Sequence, residues 1–319
     1  MLARLNDREG AAATAMPDRF VIDRTGTTAT LLSVIGLLVV AAAQVSNMIL
    51  ARAVAGAIPP FAIAFFRWTL IALALSPFVL REVRAGKLNL VGELWPIFLT
   101  GFLGMFLCGG PVYAAGETTG AINIALIMSL SPVIVTLIAW LRGLERIKPL
   151  QLAGMALALA GALFIIARGD LGTLKTLQLA RGDLYVLFAM LGWSGYTLLQ
   201  VRVAPAASFF ARIGVFSAAG ALATLPVAAW EASRDPAAVF NTHAFAAYLF
   251  AGIVPGLLAY TGFAWLTGRF GAVRASLILY LGPAVSAVLS YLVLNEPPHL
   301  FHIVGGVLIL LGVWASLRK

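Results

Sequence analysis

Ten apolar runs, most of them close to the length needed to cross a lipid bilayer, dominate this 319-residue chain. They cover residues 30–51, 60–80, 94–115, 120–141, 151–167, 183–201, 211–230, 244–267, 272–294 and 301–317. A spanning helix needs about 20 mostly apolar residues. The runs are continuous rather than alternating, which excludes a closed barrel. Only 11% of residues are charged, against about 25% in an ordinary soluble domain. So few charges cannot cover a surface that faces water. The expected class is an all-α integral membrane protein of ten transmembrane helices, with the lipid bilayer as its first partner. The net charge of +9 does not indicate nucleic acid, because the Lys and Arg residues sit between apolar runs and form no patch of their own.

Those basic residues set an orientation. With a cytoplasmic N-terminus, 16 of the 22 Lys and Arg fall on the cytoplasmic side, 5 on the other, and Arg67 lies within a span. This bias is the usual positive-inside pattern. Both termini are expected in the cytoplasm, with the chain multi-pass in the inner (cytoplasmic) membrane. Residues 1–28 mix Arg4, Asp7, Arg8, Glu9, Asp18, Arg19, Asp23 and Arg24 with no apolar stretch. They read as a disordered cytoplasmic tail, and Met16 is an alternative start. The one cysteine, Cys108, lies inside an apolar run and reads as a small packing residue.

The second half repeats the first. At a constant shift of 151, Gly120 meets Gly271, Pro132 meets Pro283, Glu145 meets Glu296, Gly154 meets Gly305 and Gly161 meets Gly312. Two prolines, two isolated glutamates and several glycines do not align by chance without a gap. The predicted repeats are 29–168 and 182–317, five helices each. An odd number of helices puts the second copy into the membrane inverted. Inverted repeats recur in secondary transporters, which place their site where the copies meet.

Particular residues then match a known pattern. They are Ser46-Asn47, Phe66-Arg67, Ser129-Leu130-Ser131-Pro132, Leu144-Glu145-Arg146, Gly182-Asp183 and Trp193-Ser194-Gly195-Tyr196-Thr197. The second copy adds Gly271-Ala272, Arg274-Ala275-Ser276-Leu277, Leu281-Gly282-Pro283 and Asn295-Glu296-Pro297. In this order the chain resembles the EamA-type members of the drug/metabolite transporter superfamily from about residue 30 to 317. The resemblance implies ten helices, a central cavity between the halves, peripheral fifth and tenth helices, and export of amino acids or related metabolites. One departure is Gln44-Val45-Ser46-Asn47, where the family often has Trp-Gly-Ser-Asn, which bears on cargo preference.

Residues with polar or aromatic side chains inside the spans are the candidates for the cavity. Gln44 and Asn47 share one helix face. They either line a polar cavity or hold the bundle through an interhelical hydrogen bond. Trp193 and Tyr196 occupy the same positions in the second copy at a shift of 149. Tyr113, Tyr260 and Trp265 fall in the third and eighth helices. Ser129 and Tyr280 correspond at the 151 shift, just before Pro132 and Pro283. Each proline removes a backbone hydrogen bond and favours a helix kink. Arg67 either meets a cargo carboxylate or a gate ion pair, or bonds helix-end carbonyls, and its position leaves snorkelling to the surface open. Glu145 and Glu296 read as structural caps. Gly154, Ala158, Gly161, Gly305 and Gly312 give small faces for close helix packing, with dimerisation as the alternative.

No metal-ligand, phosphate-cradling or paired-carboxylate motif is present, so no catalytic residue, metal or cofactor is expected. No span carries a central Asp or Glu; Glu117 and Asp183 lie near the outer edge. The expected activity is alternating-access export of a small polar molecule by a monomer, or a homodimer, running downhill or by exchange. Amides and aromatic rings, rather than a fixed charge, are expected to hold the cargo. Uptake or exchange of another solute is the alternative, and a membrane-embedded enzyme a remote one.

Overall fold

The structure is a computed structural model that describes residues 27–119, 124, 127–143, 146–167, 169, 170, 172, 180–282, 285 and 299–317. The chain divides into Met1–Ile35 and Gly36–Lys319, and the contacts described below lie within the second unit. Most of the predicted tail, and Glu145, Pro283 and Glu296, fall outside the described residues. Among the described residues there is no strand. The helices are α1 (Thr27–Ala53), α2 (Pro60–Arg84) and α3 (Leu94–Thr118), then α4 (Ser131–Leu141) and α5 (Pro149–Ile166). The second half holds α6 (Arg181–Leu199), α7 (Phe209–Arg234), α8 (Thr242–Phe270), α9 (Ala272–Ser276) and α10 (Leu300–Leu317).

Five of these are long and apolar enough to cross a membrane: α2, α3, α7, α8 and the Gly36–Ala53 part of α1. Three shorter apolar helices follow the expected fourth, fifth and tenth runs, at Ser131–Leu141, Pro149–Phe164 and Ile303–Ser316. The sixth run forms α6, 19 residues long, whose Gly192, Ser194, Gly195 and Thr197 dilute its hydropathy. The ninth is described through residue 282 and at Val285.

Local chemistry fixes where these helices begin and end. Pro60, Pro132 and Pro149 stand in first turns, where a missing N–H removes no intrahelical bond. Pro132 was expected to kink a helix. It stands in the first turn of α4, after a break at Ser129 and Leu130. Ser208 caps α7, its Oγ accepting from Ala211 N at 3.3 Å. Gly271 ends α8 at φ 82°, a left-handed conformation that lets α9 start on the next residue.

Equivalent helices of the two repeats pack antiparallel. In α5 and α10, Gly154 faces Gly312 and Ser316, while Gly161 faces Gly305 and Ile309. The two contacts exchange with one another under the repeat shift. A Cβ at Gly154 would lie 2.6 Å from Gly312 O, and one at Gly161 2.7 Å from Gly305 O. Only glycine allows this approach. The small faces are thus used within one chain. In the same way Glu231 at the end of α7 reaches Phe61 and Ala62 at the start of α2. Gly214, near the start of α7, packs on Leu75 and Val79.

The regular hydrogen bonding of α3 and α8 is interrupted by π-helical segments, Phe102–Phe106 and Ile253–Leu258. They begin 151 residues apart, so the interruption is itself repeated. A π segment carries an extra residue in its turn and leaves carbonyls for other partners.

Candidate functional site

The freed carbonyls locate the site. Arg67 in α2 donates through Nη2 to Pro255 O, in the π segment of α8, at 2.6 Å. Tyr260 in α8 donates to Gly104 O, in the π segment of α3, at 2.7 Å. Gly104 and Pro255 are equivalent at the 151 shift. Each repeat therefore completes the interrupted helix of the other. Within the first repeat, Trp68 Nε1 donates to Met105 O, the next carbonyl of the same π segment, at 2.8 Å.

Arg67 is 1% exposed. Its Nη1 donates to Asn47 Oδ1 at 2.8 Å and to the Tyr113 hydroxyl at 3.1 Å. Tyr113 in turn donates to Asn47 Oδ1 at 2.7 Å. Asn47 and Tyr113 meet because α1 and α3 touch one turn further along, at Ala51 and Gly116. The guanidinium does not snorkel. Holding a charge at the centre of a spanning helix costs at least about 2.5 kcal/mol on insertion scales. Here the cost is offset by three neutral acceptors and by the Trp68 ring, whose centroid lies 4.3 Å from Cζ. Its Nε stays buried without a hydrogen-bond partner.

An aromatic cluster adjoins this charge. Tyr260 packs edge-on against Trp68 at 4.8 Å and Trp193 at 5.3 Å. Trp193 also touches Phe263 at 4.8 Å and Tyr196 at 5.6 Å. Tyr196 reaches this position because Gly104 has no side chain in the way of its ring. Trp193 Nε1 and the Tyr196 hydroxyl are buried without partners, as is Gln44 Nε2 one turn before Asn47. A buried donor without an acceptor costs about 1–3 kcal/mol, so these donors suit an incoming acceptor group.

The expected residues thus fall into two groups. Asn47, Arg67, Tyr113, Trp193, Tyr196 and Tyr260 are linked by the contacts above. Ser129 and Tyr280 are also buried, at 1% and 0% exposure, with the Tyr280 hydroxyl unpartnered. Trp265 does not join: it points outward, 40% exposed, with Arg269 over its ring at 5.5 Å. The sequence reading missed Trp68 and Phe263. Both carried a signal, since Trp68 adjoins Arg67 and Phe263 sits three residues after Tyr260, on the same helix face.

Family comparison decides the class. A family model described as the EamA-like transporter family matches residues 31–167 and again 180–318. The chain belongs to the EamA-like transporter family. This transporter is 25% identical to the uncharacterized transporter YyaM of Bacillus subtilis, over 83% of this chain and 86% of that one. It is also 25% identical to an uncharacterized transporter of Archaeoglobus fulgidus, over 82% and 88%. A protein of Streptantibioticus cattleyicolor called a probable terminal-alkyne amino-acid exporter is 24% identical over 78% and 80%. A solved crystal structure superposes with a TM-score of 0.66 over 91% of this chain and 97% of that chain, at 22% identity, which shows a shared fold. The EamA-like transporter is thus a multi-pass membrane protein built of two repeats, and its substrate is a small molecule.

Proposed function

We propose that this transporter exports amino acids or closely related metabolites from the cytoplasm, by alternating access between two inverted five-helix repeats. The observation that carries the cargo class is the buried Arg67, held by Asn47 and Tyr113 beside the Trp193, Tyr196 and Tyr260 rings. A guanidinium with an unpartnered Nε suits a carboxylate. Neighbouring rings with unpartnered donors suit the rest of a small, partly apolar molecule. This amends the expectation of a site without fixed charge. The exporter from Streptantibioticus cattleyicolor supports the same class. The antiparallel packing of α5 on α10 and of α2 on α7 supports inversion, and the basic-residue bias supports an inner-membrane protein with both termini in the cytoplasm.

Transport runs downhill or by exchange. Among the described residues Glu82 and Glu93 each bury one carboxylate oxygen near a helix end, and the acidic residues buried as a whole are Asp183 and Glu231. Both stand near helix ends and accept from backbone N–H groups, so neither is placed as a mid-membrane proton site. Overexpression in cells challenged with a panel of toxic amino acids and analogues tests the cargo. Resistance to a subset, lost on Arg67→Ala, is the expected result. Resistance to none of them, with the protein present in the membrane, would remove amino acids as the cargo.

A further inference from the structure

The α2–α7 pair carries a second pair of repeated residues. At the shift of 149 that relates α2 to α7, Pro77 meets Pro226 and Glu82 meets Glu231. Both prolines lie inside their helices, which supports this register. The same shift carries Phe61 and Ala62 onto Phe210 and Ala211.

The two glutamates are in different states. Glu231 is 9% exposed, and its carboxylate closes over the start of α2. Oε1 accepts from Phe61 N at 3.2 Å and Oε2 from Ala62 N at 2.8 Å. The first N–H groups of a helix have no partner within it, and Pro59 at the N-cap of α2 supplies no side-chain bond. Glu231 fills that role from the other repeat, tying the end of α7 to the start of α2. At the far end of the same helix pair, Glu82 Oε2 is buried without a partner. There Ser208 caps Ala211 N, and Phe78 stacks on Phe210 at 5.0 Å. One end of the pair is clasped and the other is not.

We propose that Glu231 and Glu82 are alternating gate clasps. When the repeats exchange conformations, Glu231 releases the start of α2 and the Glu82 carboxylate takes the N–H groups of Phe210 and Ala211. This inference rests on the alternating-access reading above, and adds two positioning residues that touch no cargo. It also gives the cycle a bias. Glu82 competes with Ser208 for Ala211 N, whereas Glu231 has no competitor at Pro59. The Glu231-clasped state is therefore the more populated one without cargo.

Spin-label distances on the full chain in lipid nanodiscs test this, in a Cys108→Ala background and without added substrate. One pair, Ala57→Cys with Ser233→Cys, spans the Glu231 end; the other, Ala85→Cys with Ala206→Cys, spans the Glu82 end. All four positions are exposed. Glu231→Ala is expected to lengthen the first distance and shorten the second, moving the population ratio about tenfold or more. Glu231→Gln, which keeps one acceptor oxygen, shifts it less. Glu82→Ala moves both distances the opposite way or sharpens the first at its short value. The clasp is overturned if Glu231→Ala leaves both pairs unchanged, or if both lengthen together. Should Glu231→Ala not fold, the Glu231→Gln and Glu82→Ala distances decide between the same outcomes. The readout needs no cargo: opposed shifts in a chain that carries no amino acid reject the cargo alone, and amino-acid transport without opposed shifts rejects the clasps alone.

Discussion

The two repeats place different chemistry at the same address. In the first, Asn47 of α1 accepts a hydrogen bond from Arg67 of α2. Moved by 149 residues, these positions become Tyr196 of α6 and Phe216 of α7. There the contact is between rings, edge-on at 6.3 Å. Gln44 likewise becomes Trp193. The backbone arrangement is shared, yet one half presents a charge with amides and the other presents rings. A symmetric scaffold is useful for exchanging two conformations. An asymmetric site is needed for a cargo whose two ends differ.

The largest effect is expected from breaking the polar half. Arg67→Ala strands the Pro255 carbonyl and leaves Asn47 and Tyr113 without their shared donor. Transport should fall at least tenfold, with a stability loss of about 1–3 kcal/mol. Uptake into proteoliposomes and thermal unfolding in detergent measure the two. Unchanged transport would separate the charge from the cargo.

Trp193→Ala and Gln44→Ala compare the two halves at one shared position. Both should slow transport several-fold at equal protein level, and both more than Glu296→Ala does. A normal rate in the Trp193 variant would leave the aromatic half a packing feature only.

A smaller contrast comes from Gly101 and Gly252, equivalent at the 151 shift. A Cβ at Gly101 would lie 2.5 Å from Phe216 O and 2.7 Å from the Ala219 side chain. At Gly252 the nearest atoms are 3.4 Å away, on Leu70. Gly101→Ala should cost about 1–3 kcal/mol, as overpacking does, and Gly252→Ala little. Equal melting temperatures would show that the two crossings are equally loose. The smallest effect is expected from a proton ionophore, which should leave downhill efflux intact. Uphill efflux driven by an imposed pH gradient would refute facilitation and point to a proton site.

Much of this was legible in the sequence because it was written twice. The repeat register predicted the α5 and α10 glycine faces, and it paired Gln44 with Trp193 and Asn47 with Tyr196. The π segments were not legible. A helix that is apolar on every side has no polar stripe whose phase would slip at an extra residue. Trp265 was grouped with Tyr260 because both lie in α8. Five residues of helix separate them by about 140°, and Trp265 faces outward. Glu231 was passed over since the apolar run stops at residue 230, where the reading assigned a connector. Its role is visible only when the start of α2 lies beside it.

The antiparallel contact between α5 and α10 has a mechanical consequence. Gly154 on Gly312 and Gly161 on Gly305 exchange by a two-fold turn about a point between them, close to Ala158 and Ile309. A pair that straddles a two-fold axis keeps its separation when the two sides trade shapes. Under the alternating access proposed above, that spot is a natural fulcrum of the cycle, a place where a covalent staple should be harmless. A disulfide between residues 158 and 309 would let the carrier turn over. The same staple between residues 62 and 231 would freeze it.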